Sequence, residues 1–423
     1  MKTVNLKMGR EVLTLNIPDK NVQDILHGVF PPEPTPEEER EAVVRSLREP
    51  IGSKPLRELA KPGQKVVIMA SDITRPVPTY KILPPLVEEL NSCGIQDSDI
   101  TVLFGMGIHR SHTPEEHEHL VGTEMYKRIH CADSTTGEYV KIGVSSRGTP
   151  YYINNQVFHA DLLICTGNVE YHWFVGYSGG AKALLPGASN KTTIQHNHSM
   201  ISDPGAGTGK LEGNPVRADI DEIGKFIHID FIVNVVLNEN KKILKSFAGH
   251  YIEAHRAGCR YLDSVYSRPI DKLADIVVIA CSGYPKDLNL YQSQKGLDNA
   301  NFAVRDGGTI LMVAGCEEGY GEDTFETWVK ESTCPKDLLD RLHREFQLGG
   351  HKAAGIAKVL MRANVVMVTK MKKEEVEKLY ITHRNPEQLQ DVMDELLKKY
   401  GEDASVLVIP QAGSVFPKLK EQN

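Results

Sequence analysis

Eight short apolar runs constrain this chain more than any other feature: KVVIMA (65–70), ITVLFGMG (100–107), ADLLICTG (160–167), FIVNVVL (231–237), ADIVVIACSG (274–283), TILMVAG (309–315), ANVVMVT (363–369) and SVLVIP (405–410). Each ends in a Gly-, Ser- or polar-rich turn. They are β-branched and apolar on both faces, which predicts strands of a parallel sheet covered on both sides. Amphipathic stretches such as ILPPLVEELNSCG (82–94) and EQLQDVMDELLKKYG (387–401) lie between several of them. Strands alternating with helices predict an α/β fold with mainly parallel sheets. Thr35-Pro36-Glu37-Glu38 and Thr113-Pro114-Glu115-Glu116 predict two helix starts, each with a hydroxyl cap, a proline at the first helical position and a glutamate at the third.

With 423 residues, the chain exceeds one ordinary domain, and its 40% hydrophobic content suffices for real cores. The best boundary lies near 262–274. The expected organisation is two α/β domains, 1–268 and 269–400, with the active site in the cleft between them. Residues 401–423 are set apart as a strand and tail free to pack on either unit, the N-terminal domain included. The opening MKTVNLKMGREVLTLNIPDK alternates polar and apolar residues like a strand. It lacks the apolar core of a signal peptide.

A net charge of -7 without a basic block argues against nucleic acid as a partner. Seven scattered cysteines without a C-x-x-C pair argue against a disulfide framework and against structural zinc. No segment is apolar for long enough to span a membrane. The expectation is a cytoplasmic protein.

In α/β sheets, ligands bind at the carboxyl ends of strands. Here those ends run into SDITRPVP, HRSH, NVEYHWFVGYSGGAK and YPKDLNLYQSQK, every one rich in reactive groups. Familiar phosphate motifs fail. Gly105-Met106-Gly107 meets Arg110 where a dinucleotide fingerprint needs glycine, and PGAGTGKLEG (204–213) has Pro204 and Leu211 at positions a Walker loop reserves for Gly and Ser or Thr. No G-x-S-x-G elbow is present. The histidines at 109, 112, 117 and 119 match no zincin spacing; His117 and His119 read as a solvated helix, while His109 sits just past a glycine-rich strand end.

The run Tyr171 to Gly187 carries the densest chemistry. Gly176, Gly179 and Gly180 allow close backbone approach to a ligand, and Lys182 follows among apolar neighbours, where a lysine can lose its proton and act as a nucleophile or a covalent anchor. Taken alone, these residues fit a turn with a surface lysine slightly better. His196 and His198 lie about four turns further on if the intervening segment is helical. Arg75 has the fork to grip a carboxylate, or to pair with Asp72 on the surface. Gln292 and Lys295 share a face if LYQSQKG is helical. Trp173 fits a pocket wall and core packing equally well.

Read together, SDITRPVP, Gly107-Ile108-His109-Arg110, GYSGGAKALLPG, His198 and LYQSQKG resemble the nickel-dependent lactate racemase family in both order and spacing. The resemblance implies a two-domain α/β enzyme that inverts C2 of a small 2-hydroxy acid. It implies a nickel-pincer nucleotide, a pyridinium mononucleotide with two thiocarboxylate arms, attached covalently at Lys182, with His198 as the imidazole ligand of nickel. It assigns Asp72, Ile73, Thr74 and Arg75 to cofactor and substrate contacts, His109 and His172 to acid–base work, and Tyr291, Gln292 and Lys295, with Arg75, to the substrate. Cofactor-maturation enzymes are implied partners. The competing expectations are a zinc hydrolase built on His109, His112 and His172, and a carrier that binds nickel without turnover.

Overall fold

The computed structural model describes residues 1–345, 347 and 349–420. It divides into two compact units, Pro31–Ser264 and Met1–Phe30 with Val265–Asn423. All eight apolar runs form strands, and both Thr-Pro-Glu-Glu segments form helix starts with complete capping boxes.

The Pro31–Ser264 unit holds a six-stranded sheet in the order Ile243–Gly249, Phe231–Leu237, Leu162–Asn168, Val66–Ser71, Ile100–Gly105, His130–Asp133. All neighbours are parallel except the first pair. Along Val66–Ser71, Val66, Ile68 and Ala70 pack with Val43, Leu47, Ile82 and Leu86, while Val67 and Met69 enter a second core with Cys165, Leu184 and Ile232. A strand buried on both faces has no position for a polar residue, hence the continuous apolar run. From Val66–Ser71 the chain builds outward to Ile100–Gly105 and His130–Asp133, then returns to the other side of Val66–Ser71 with Leu162–Asn168. This reversal makes the carboxyl ends of Val66–Ser71 and Leu162–Asn168 a topological switch point, where open α/β sheets bind ligands.

The other unit holds an all-parallel sheet in the order Thr382–Arg384, Asn364–Val368, Val304–Val313, Ala274–Ala280, Val406–Ile409, Val22–Ile25. One expectation about the termini is corrected here, and one open placement is filled. Residues 1–30 do not belong with the N-terminal domain: Val22–Ile25 pairs with Val406–Ile409, and the hairpin Lys2–Met8/Glu11–Ile17 buries Val4, Leu6, Met8, Leu15 and Ile17 against Ile276, Val278 and Leu311. The C-terminal strands also stay in this unit, because Val406–Ile409 pairs with Ala274–Ala280 and Phe416–Leu419 with Ser267–Ile270. The two units divide between Ser264 and Val265.

Candidate active site

The first loop at the switch point follows Ser71. Asp72 is buried, its Oδ1 accepts the Thr74 N–H at 2.7 Å, and its carbonyl accepts the Arg75 N–H at 3.0 Å. This tight turn leaves Ile73, Thr74 and Arg75 exposed. Asp72 Oδ2 lies 3.3 Å from His109 Nδ1, in the loop after the neighbouring strand. Burial works to raise the Asp72 pKa, but His109 and Thr74 outweigh it and hold the carboxyl at about 2. Among the described residues, His109 Nδ1 is buried without a partner in hydrogen-bond geometry.

The second loop follows Asn168. Tyr171–His172 and Gly176–Tyr177 form a short antiparallel pair, tied down by the Tyr171 and Tyr177 hydroxyls, which donate to Asp263 at 2.7 and 2.8 Å. The glycine turn beyond it is gripped from behind. Gly180 N–H donates to Asn234 Oδ1 at 2.8 Å, the fully buried Arg217 donates to the Gly179 carbonyl at 3.2 Å, and His255 Nε2 meets the Ser178 carbonyl at 2.7 Å. Gly180 has φ +63°, and a Cβ there would stand 2.7 Å from Arg217 Nη2, so both conformation and space call for glycine.

Lys182 lies in the 3-10 turn Gly180–Ala183 that this grip holds. Desolvation, with the positive charges of Arg75 and Arg217, pushes its pKa down to about 7. His172 is held well below the usual imidazole range by burial, then by Lys182 and Arg75. His198 is pushed down to about 4 by burial, then by Lys182. Its Nδ1 lies 3.2 Å from Asn197 Oδ1. The Asn197 amide nitrogen donates to the Val216 carbonyl and to Asp219 Oδ2, so its oxygen is the acceptor and His198 carries its proton on Nδ1. Nε2 of His198 therefore holds a lone pair. The Phe174 ring stands edge-on to both imidazoles, 4.6 Å from His172 and 5.0 Å from His198.

The structure thus brings together Asp72, Arg75, His109, His172, Lys182 and His198. Lys182 and His198 do not lie on one continuous helix: the helix is Lys191–Ser199, and the 3-10 turn Gly180–Ala183, a further turn and an isolated bridge at Ser189 precede it. His196 is exposed, its Nδ1 3.3 Å from Thr149 Oγ1. Tyr291, Gln292 and Lys295 lie in the other unit on the helix Leu290–Ala300, whose N-terminus is capped by Asn289 Oδ1. Gln292 and Lys295 are exposed one turn apart on one face. Tyr291 is half-buried, with Lys352 Nζ 4.1 Å above its ring.

Residues 8–209 match the lactate racemase N-terminal domain and residues 270–416 the lactate racemase C-terminal domain. A lactate racemase of Thermoanaerobacterium thermosaccharolyticum is 34% identical over 432 residues, covering 99% of this chain and 100% of that protein. One of Lactiplantibacillus plantarum is 35% identical over 431 residues, with 99% and 100% covered. The chain belongs to the lactate racemase family. The lactate racemase apoprotein structure from Thermoanaerobacterium thermosaccharolyticum superposes with a TM-score of 0.80 at 32% identity, covering 99% of this chain and all 100% of that one. A crystal structure of a Thermotoga maritima protein, TM-score 0.56 at 18% identity over 93% of this chain, shares the fold.

Within this racemase-family chain, the expected zinc triad of His109, His112 and His172 does not form. Among the described residues, the one trio of His, Cys, Asp or Glu ligand atoms lying within 4.8 Å of one another is His112, His117 and Asp133. His117 is also not the solvated side chain expected of it: it stacks on Phe104 at 4.9 Å and points Nε2 at Asp133. His119 is exposed, as expected. Arg217, Asn234 and His255 escaped the sequence reading because a buried polar support carries no local pattern. His112 was visible in the HRSH loop, although its partner Asp133 was not.

Proposed function

We propose that this racemase interconverts the enantiomers of lactate or a closely related 2-hydroxy acid, using a nickel-pincer nucleotide held at Lys182 and His198. The observation that carries this reading is the charge state of the cluster. Lys182, with a pKa near 7, has an amine available for covalent attachment, and His198 is neutral with Nε2 unprotonated, as a metal ligand must be. The residues present fit the group. When bound, it would supply an acceptor for hydride from C2, which spares the enzyme a carbanion next to a carboxylate.

The chain's own residues do the rest. Arg75 offers a two-pronged grip for the substrate carboxylate, and Tyr291, Gln292 and Lys295 add further substrate contacts. His172 is neutral at working pH, with its Nδ1 3.4 Å from the Val175 N–H. His109 has Asp72 beside Nδ1, an arrangement that stabilises a proton there and leaves Nε2 to act as base. One imidazole takes the hydroxyl proton of one enantiomer and the other serves its mirror image. Among the described residues, no helix is long and apolar enough to cross a membrane.

The test is co-expression with the cofactor-maturation enzymes, followed by intact mass, metal content and a chiral assay over lactate, malate, aromatic hydroxy acids and sugar acids. The expected result is a mass adduct with nickel, both lost in Lys182→Ala, and racemisation of at least one of these acids. An active protein with neither adduct nor nickel would contradict the reading.

A further inference from the structure

Asp133, at the end of the edge strand His130–Asp133, is buried and accepts three N–H groups. Oδ2 takes the His112 backbone N–H at 2.7 Å, and Oδ1 takes His112 Nδ1 at 2.7 Å and His117 Nε2 at 2.9 Å. Burial works to raise its pKa, but the bonds from His117 and His112 outweigh it and keep the carboxyl ionised. The His112 side chain is fully buried, and its other nitrogen, Nε2, accepts the backbone N–H of Ile73 at 3.1 Å.

An imidazole that accepts at Nε2 and faces a carboxylate at Nδ1 is a neutral ring with its proton on Nδ1. Both neighbours demand that one tautomer. A metal ion at this trio would take the lone pair of His112 Nδ1 and force a proton onto Nε2, setting it donor-to-donor against the Ile73 N–H. The hydrogen bonds therefore favour a tether over a metal site. His112 hangs from the loop after Ile100–Gly105, Asp133 ends the strand on one side, and Ile73 begins the loop after the strand on the other. One ring thus ties three adjacent strand ends together.

We propose that His112, oriented by Asp133, is a positioning residue that fixes the Ile73 amide and thereby sets Asp72 against His109 and aims Arg75. Its effect on catalysis rests on the function proposed above; its effect on the loop does not. His112→Phe fills the space and removes both polar contacts. His112→Gln restores an amide oxygen for Ile73 and an amide N–H for Asp133. His117→Phe removes a bond to Asp133 without touching the loop.

In the apoprotein, hydrogen exchange at the Ile73 amide should quicken by about tenfold in His112→Phe, the equivalent of one lost hydrogen bond, and stay near wild type in His117→Phe and His112→Gln. In the matured enzyme, His112→Phe should retain the Lys182 adduct but lose about tenfold to a hundredfold in kcat, the scale of a misplaced reacting group; His112→Gln should recover most of it. If His112→Phe fails to fold, the His112→Gln and His117→Phe pair carries the test, with Ile73 protected and activity kept in both. Unchanged Ile73 exchange in a folded His112→Phe would overturn the proposal. So would a stoichiometric metal in wild-type apoprotein that disappears in His117→Phe.

Discussion

The Pro31–Ser264 unit and the unit built on Val265–Asn423 both surround a six-stranded, largely parallel sheet, yet the candidate site residues they carry differ in exposure. In the first, Asp72, His172, Lys182 and His198 are withdrawn from water and pushed away from their ordinary pKa values. In the second, Gln292 and Lys295 stand exposed on a capped helix. A lysine that must react, or an imidazole that must stay neutral, needs burial to set its charge. On the proposed function, a side chain that only grips a carboxylate needs exposure and a rigid base. The difference, on that same reading, marks where chemistry and recognition divide along this chain.

Substitutions should follow that division. Lys182→Ala should abolish turnover, by about a thousandfold or more, together with the mass adduct. His109→Ala and His172→Ala should each lower kcat by about a hundredfold or more with the adduct retained, as read in steady-state assays of both enantiomers. Arg75→Lys keeps the charge and loses the fork, and should cost about tenfold to a hundredfold in kcat/KM. Lys295→Ala and Gln292→Ala should raise KM by about tenfold and leave kcat nearly intact. A kcat loss at Lys295 equal to that at His172 would break the comparison.

The smallest effect is on stability. Lys182 has a folded pKa near 7 against its ordinary value of 10.5. Below pH 7 the ammonium is charged in both states and burying it destabilises the fold. Between pH 7 and 10.5 the folded state gives up the proton first, so stability rises with pH. Lys182→Met apoprotein should therefore melt a few degrees above wild type at pH 7 and close to it at pH 10, as measured by calorimetry.

The sheets were legible because a strand covered on both faces can hold little but apolar residues, as Ile276–Ile279 and Phe231–Leu237 do. The caps at Thr35 and Thr113 were legible because they are made within four residues. The placement of residues 1–30 was not: Val22–Ile25 finds its partner in Val406–Ile409, and pairing at that separation leaves no local trace. The same holds within the site. Lys182 on its own fitted a surface lysine slightly better, and His172 and His198 stood out through the family resemblance, whereas the groups that fix their charge and tautomer, such as Arg217 and Asn197, looked like ordinary helix residues. His117 looked solvated because the sequence shows its helix and not the carboxylate that its ring meets.

The most direct test of the account is racemisation of one lactate enantiomer by the matured enzyme in D2O, with C2 of the product read by NMR and mass spectrometry. If C2 hydrogen moves as hydride while His109 and His172 handle only the hydroxyl proton, the inverted product should keep its C2 protium. Deuterium at C2 in step with inversion would mean that a side chain removes the C2 proton, and would contradict the account.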